Sequence, residues 1–90
     1  MSSKKPWFLY MIECQDGSIY TGIAVNVAAR YASHENGSGA RYTRSHPPKK
    51  LLLVIEHANR SDASKAEYAI KQLSAIEKRA YIDFNLKLAS

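Results

Sequence analysis

From Trp7 to Ile23 the chain is rich in aromatic and β-branched residues, and the run is broken once, by Gln15-Asp16-Gly17-Ser18. That pattern predicts a β-hairpin. The length of its turn decides what the hairpin can present. A two-residue Asp16-Gly17 turn pairs Cys14 with Ile19 and puts Tyr10 and Tyr20 on opposite faces, because directly opposed residues share a face and faces alternate. A three-residue loop with Gly17 in the left-handed conformation pairs Cys14 with Ser18 and Ile12 with Tyr20. Tyr10 then lies diagonally beside Tyr20, and we expect this arrangement.

After the hairpin, Asn26 is a good N-cap for the helix-compatible run that follows. Gly37 stands where a left-handed C-cap is wanted, so the spacing predicts a short helix over about Val27 to Glu35. Arg30 and His34 are four apart and share one stripe of it. Gly37 to Lys50 reads as a loop that carries four basic residues, Arg41, Arg44, Lys49 and Lys50, and no acid. The apolar run from Leu51 has strand length and suggests a strand covered on both faces. Asn59 to Arg79 reads as one longer helix with an apolar stripe of Ala66, Ile70, Leu73 and Ile76, and Glu67 at the stripe's edge. The segment after it has no clear placement.

Length and composition bound the function. A chain of 90 residues with 46% hydrophobic and 23% charged residues supports one core and buries roughly 60–65% of its unfolded surface. A shallow surface site is expected rather than an enclosed cofactor cavity. Net charge of +5 with a pI near 9.5 favours contact with polyanions. Cys14 is the only cysteine, which excludes an intrachain disulfide framework or a multi-cysteine zinc site and suits a reducing compartment. The apolar run near the N-terminus is short and ends at Glu13 without a small-residue cleavage site, and no run approaches ~20 apolar residues. The expectation is a soluble cytoplasmic protein with no membrane segment.

The order of parts then becomes informative. A tyrosine in the first strand, Tyr20-Thr21-Gly22 in the second, and an arginine eight residues beyond that glycine together resemble the GIY-YIG nuclease superfamily. Its first signature tripeptide is similar to Phe8-Leu9-Tyr10 and its second to Tyr20-Thr21-Gly22. The stretches Tyr20 to His34, Gly37 to Arg44 and Ala66 to Leu73 resemble the small stand-alone bacterial branch of that superfamily, and more distantly its structure-selective endonucleases. The departures are Phe8 for the first glycine, Thr21 for the central isoleucine, and Ile23 where some relatives carry a lysine that assists the catalytic tyrosine.

The resemblance implies a single α/β (α+β) domain over residues 1–90, with its motifs between residues 7 and 78. The implied architecture is a small, mainly antiparallel three-stranded sheet flanked by helices. It implies catalytic residues Tyr10, Tyr20, Arg30, His34 and Glu67, with Glu67 also the ligand of a divalent metal, Mg²⁺ or Mn²⁺. Nucleic acid, DNA foremost, is the implied partner, in repair or recombination.

Phosphodiester hydrolysis needs an in-line water, a base for its proton and positive charge near the phosphate oxygens. Tyr20 suits the water, Arg30 the phosphate, and Glu67 one hard cation whose remaining positions are filled by waters and phosphate. His34, one turn from Arg30, is expected to stand in for the lysine missing at Ile23 by assisting Tyr20. Arg41, Arg44, Lys49 and Lys50, with Tyr42 interleaved, suit phosphate contacts and one stacking aromatic. Plainer roles exist for each residue: strand packing for the tyrosines, a solvated helix face for Arg30, and a Ser64–Glu67 capping box for Glu67. A binding module without activity and a partner-dependent interaction domain are the alternative functions.

Overall fold

The computed structural model describes residues 5–89. The hairpin pairs strand β1, Trp7–Cys14, with β2, Ile19–Ala24, in the register Ile12 opposite Tyr20 and Tyr10 opposite Gly22. The loop is the three-residue form. Cys14 N–H donates to Ser18 O at 2.8 Å and Gly17 N–H to Cys14 O at 2.9 Å, with Gly17 at φ 86°. Asp16 Oδ1 accepts from the Ser18 backbone N–H and hydroxyl at 3.0 and 2.6 Å. Those local bonds fix the register, and the register puts Tyr10, Ile12 and Tyr20 on one face.

Helix α1, Val27–Glu35, has the expected bounds, with Asn26 Oδ1 accepting from Ala29 N–H at 3.0 Å. It closes in a Schellman arrangement: Gly37 takes φ 84°, Ser38 N–H reaches Ser33 O at 3.0 Å, and Gly37 N–H reaches His34 O at 3.4 Å. The expected basic loop contains a short helix, α2, Arg41–Ser45, and strand β3 begins at Pro48 and runs to His57. Proline at a strand's first position forfeits no ladder bond that the strand needs.

Strand order is β2-β1-β3, with both pairings antiparallel. The strand covered on both faces is therefore β1 and not β3. Leu9 and Met11 point to one face, into a core with Ile19, Leu53, Ile70 and Ile82, while Tyr10, Ile12 and Cys14 point to the other with Ala24. As an edge strand, β3 leaves Leu51 and Val54 exposed along an apolar groove that Leu86 and Leu88 also line.

The single long helix expected after β3 is two, α3, Arg60–Lys71, and α4, Ala75–Ala89, which includes the segment that the sequence pattern left unplaced. The break comes from capping. Ser74 N–H donates to Glu77 Oε1 at 2.8 Å while Glu77 N–H donates to Ser74 Oγ at 3.1 Å, a reciprocal capping box. At the start of α3 the cap is Asn59, whose Oδ1 accepts from Asp62 N–H at 2.9 Å. Ser64 and Glu67 thus lie inside α3, and the capping role considered for Glu67 belongs to Glu77. After the break Ile76 is exposed and Ile82 fills the core instead.

Replacing Ser74 with Ala should cost about 1 kcal/mol of unfolding free energy, the usual loss of a cap. Ser64→Ala, inside a helix, should leave stability unchanged to within about 0.5 kcal/mol. Urea denaturation of the two variants checks the placement of the break.

Candidate active site

Tyr10 is the deepest member of the site. Its side chain lies against α1 and its hydroxyl is 2.8 Å from His34 Nε2, with both residues 1% exposed. Space for that hydroxyl comes from Gly22, the directly opposed residue on β2. A Cβ at Gly22 would sit 2.5 Å from the Tyr10 hydroxyl oxygen and 3.1 Å from the Tyr20 ring. The glycine of the Tyr-x-Gly motif is thus required by the tyrosine across from it.

On the other side of the imidazole, Nδ1 is 2.7 Å from Thr43 Oγ1, and Thr43 Oγ1 donates to Ala40 O at 2.9 Å. The threonine hydroxyl has one proton, so with that proton on Ala40 O it accepts from Nδ1–H. Nε2 is then left to accept from Tyr10. Ala40 N–H lies 3.4 Å from Nδ1, long for a hydrogen bond, so the shorter contacts set the tautomer. Gly39 makes this close approach feasible, because a Cβ there would collide with Nδ1 and come within 2.9 Å of the His34 Cα. Thr43 and Gly39 escaped sequence reasoning. The only trace of either is the second glycine of Gly37-Ser38-Gly39, and nothing in the pattern links Thr43 to a histidine nine residues earlier.

Electrostatics separates the two tyrosines. Burial, and after it the neighbouring Tyr20 oxygen, push the Tyr10 hydroxyl up to about 12, against a hydrogen bond and the charge of Arg30; Glu67 adds to the rise. Tyr10 therefore holds its proton at neutral pH and works as a donor. Tyr20 is only half-buried, its ring 6.2 Å from Tyr10 and 5.1 Å edge-on from His34. His34 was expected to assist Tyr20 by accepting its proton or positioning its hydroxyl; Nε2 lies against the Tyr10 hydroxyl, and the ring meets Tyr20 edge-on. Burial and then the Arg30 charge hold the imidazole below its usual range, so it stays neutral at physiological pH.

Glu67 stands half-buried on α3, near enough to Tyr10 to raise its pKa, and its Oε2 is 3.2 Å from Lys71 Nζ. Tyr20, Arg30, His34 and Glu67 thus all lie near the Tyr10 hydroxyl of the central strand. Among the described residues no group of three or more His, Cys, Asp or Glu forms a metal cage. The donor set is one hard carboxylate, Glu67, which could hold a divalent ion only with waters filling most of the ion's other positions.

Of the basic segment, Tyr42 joins the site: it stacks on His46 at 4.1 Å and lies 5.8 Å from Tyr20. Both ring neighbours are the protein's own. Arg41 and Arg44 project from the exposed surface of α2, which Thr43 anchors to His34. Lys49 and Lys50 lie on β3, at the opposite edge of the sheet from Tyr20, and Lys50 is 3.9 Å from Glu13. The structure does not bring those two lysines to the tyrosines.

A small antiparallel sheet presenting two tyrosines, an arginine and a histidine from the following helix, and a glutamate from a later one, defines a candidate hydrolytic centre for phosphodiesters. The family model described as the GIY-YIG catalytic domain matches residues 6–80, and the chain belongs to that nuclease family. It is similar to a UPF0213 protein of Cupriavidus pinatubonensis, 47% identical over 81 residues that cover 90% of each chain. A UPF0213 protein of Desulfotalea psychrophila is 46% identical across 90% of this chain and 74% of its own. Among solved structures, the solution NMR structure of a UPF0213 protein from Bacillus halodurans matches with TM-score 0.58 at 34% identity, covering 88% of this chain and 84% of that one. A second NMR structure, of a protein from E. faecalis, matches with TM-score 0.61 at 34% identity over 96% and 93%. No helix among the described residues is long and apolar enough to cross a membrane.

Thr43→Val should lower unfolding free energy by about 1–3 kcal/mol, because it strands a buried Nδ1–H without an acceptor. The lowered His34 pKa carries a sign for acid stability. Stability from the neutral imidazole is fully present above its unfolded pKa of about 6.5 and is lost as pH falls through the lower folded value. Urea unfolding at about pH 7.5 and 5.5 should show a larger acid loss in wild type than in His34→Asn.

Proposed function

We propose that this chain is a metal-dependent endonuclease that hydrolyses DNA phosphodiester bonds in the cytoplasm, with a preference for branched or distorted DNA met in repair or recombination. The observation that supports this reading best is the unequal treatment of the two tyrosines. One is locked and protonated inside the Tyr10–His34–Thr43 chain, and the other is left half-exposed under the Lys71 ammonium that pairs with Glu67. Packing alone would not need a buried tyrosine, histidine and threonine joined by hydrogen bonds, since apolar residues of the same shape do as well.

In this reading Tyr20 orients the attacking water and takes up its proton's hydrogen bond. Arg30 binds the non-bridging phosphate oxygens in its fork geometry. Tyr10 keeps its proton and holds the ring positions of Tyr20 and His34 in place. Glu67 would hold the divalent ion, Mg²⁺ or Mn²⁺, which when bound supplies charge stabilisation at the phosphate. Arg41 and Arg44 are taken to neutralise backbone phosphates on either side, with Tyr42 of the same helix reaching the tyrosine site, and Lys49 and Lys50 meet a more distant part of the duplex. A second reading, a partner-dependent interaction domain, is favoured by the exposed apolar groove between β3 and α4.

Nicking of plasmid and branched DNA, with Mg²⁺, Mn²⁺ or chelator, tests the reading. Wild type should nick only with metal, and Tyr20→Phe and Glu67→Gln should each lower the single-turnover rate by on the order of 10²-fold or more. DNA binding without nicking under every metal condition would contradict the enzyme reading and leave a binding module. Arg41→Ala with Arg44→Ala should weaken DNA binding and flatten its salt dependence by up to about two in slope.

A further inference from the structure

Lys71, the last residue of α3, is placed in an unusual position for a surface lysine. Its Nζ is 3.2 Å from Glu67 Oε2, four residues back, and 5.8 Å over the centroid of the Tyr20 ring. The carboxylate is the more buried partner, its side chain 22% exposed against 47% for the lysine. The same lysine also lines a cavity of about 240 Å³ with Ile19, Tyr20, Thr21, Tyr42 and Lys78. The Thr21 hydroxyl in that lining is buried and has no hydrogen-bond partner among the described residues. One ammonium thus stands between a carboxylate, an aromatic face and a cavity that already holds a second lysine.

A half-buried carboxylate near the buried Tyr10 hydroxyl is costly unless a cation neutralises it. Glu67 is a single carboxylate, and an ammonium on Oε2 occupies the approach a divalent ion needs, since oxygen ligands of Mg²⁺ sit only ~2.0–2.1 Å from the metal. With the ammonium on one of the two carboxylate oxygens, the two cations compete for Glu67 through charge repulsion.

We propose that Lys71 holds the place of the divalent cation at Glu67 in the metal-free protein, and that metal entry displaces its ammonium into the cavity beside Lys78 and Tyr42. The inference rests on the reading of Glu67 as the metal ligand and goes beyond it by giving the site a resident competitor. Its consequence is mutual reinforcement. Metal binding adds a second free ammonium to a cavity at the β2 edge suited to a substrate phosphate oxygen, and a phosphate that draws Lys71 away frees Glu67 for the metal.

Mn²⁺ alone, followed by electron paramagnetic resonance without nucleic acid, measures the competition in wild type, Lys71→Gln and Glu67→Gln. Lys71 is exposed and Glu67 half-buried, and an amide NMR spectrum of each variant verifies the fold. Lys71→Gln should bind Mn²⁺ several-fold, up to about tenfold, more tightly than wild type, the effect of removing one nearby charge in a half-exposed setting. Glu67→Gln should bind more weakly than wild type. Adding Mg²⁺ should shift the amides of Tyr42 and Lys78 in wild type and leave them unmoved in Lys71→Gln. Equal or weaker Mn²⁺ binding by Lys71→Gln, with Glu67→Gln impaired, would overturn the inference and leave Glu67 as the ligand. Unimpaired binding by Glu67→Gln would overturn both.

Discussion

The hydrogen bond between Tyr10 and His34 is the constraint on which the rest of the site depends. It joins the central strand to the first helix through two fully buried polar groups, and a buried group left without its partner costs about 1–3 kcal/mol. Each neighbouring feature follows from making this bond fit. Gly22 gives the tyrosine hydroxyl its space, Gly39 lets the chain pass the imidazole, and Thr43 on α2 satisfies the far nitrogen. The short helix that carries Arg41, Tyr42 and Arg44 is thereby tied to the same core that positions Tyr20.

This geometry divides labour between chemically identical side chains. Burial makes Tyr10 a persistent proton donor and removes it from base chemistry, while Tyr20 keeps an open side facing Tyr42, Lys71 and Lys78. His34 is hydrogen-bonded to the buried tyrosine and packs edge-on against the other. The Arg30 charge beside both groups favours a neutral imidazole and opposes the rise of the tyrosine. A phosphate arriving at Arg30 would bring negative charge to the same spot, so substrate and site electrostatics are linked through the arginine.

Much of the fold was legible because it rests on local chemistry. The three-residue hairpin loop, the Asn26 cap and the Gly37 terminus are written in consecutive residues, and each sits where the turn and capping rules put it. The β3 run misled because hydrophobicity alone does not say which strand is central. Its apolar residues face a core on one side and an exposed groove on the other. The helix break at Ser74 was also written locally, in Ser74-x-x-Glu77, but the similar Ser64-x-x-Glu67 spacing competed with it. Within the site, the grouping of the tyrosines with Arg30, His34 and Glu67 follows from strand register and helix periodicity. Which tyrosine the histidine bonds does not, because it depends on depth between sheet and helix. Thr43 and Gly39 depend on a loop folding back nine and five residues beyond His34, a tertiary choice with no periodic signature.

The tautomer of His34 tests this account most directly. Nitrogen-15 NMR of the histidine rings, followed between about pH 5.5 and 8, reports which ring nitrogen carries the proton. The account predicts a neutral His34 with hydrogen on Nδ1 and a bare, hydrogen-bonded Nε2 throughout the upper part of that range, titrating below the usual histidine midpoint of about 6.5. A proton on Nε2, or a midpoint at or above the usual value, would show that Tyr10 is not the donor to His34 and that the buried chain runs the other way.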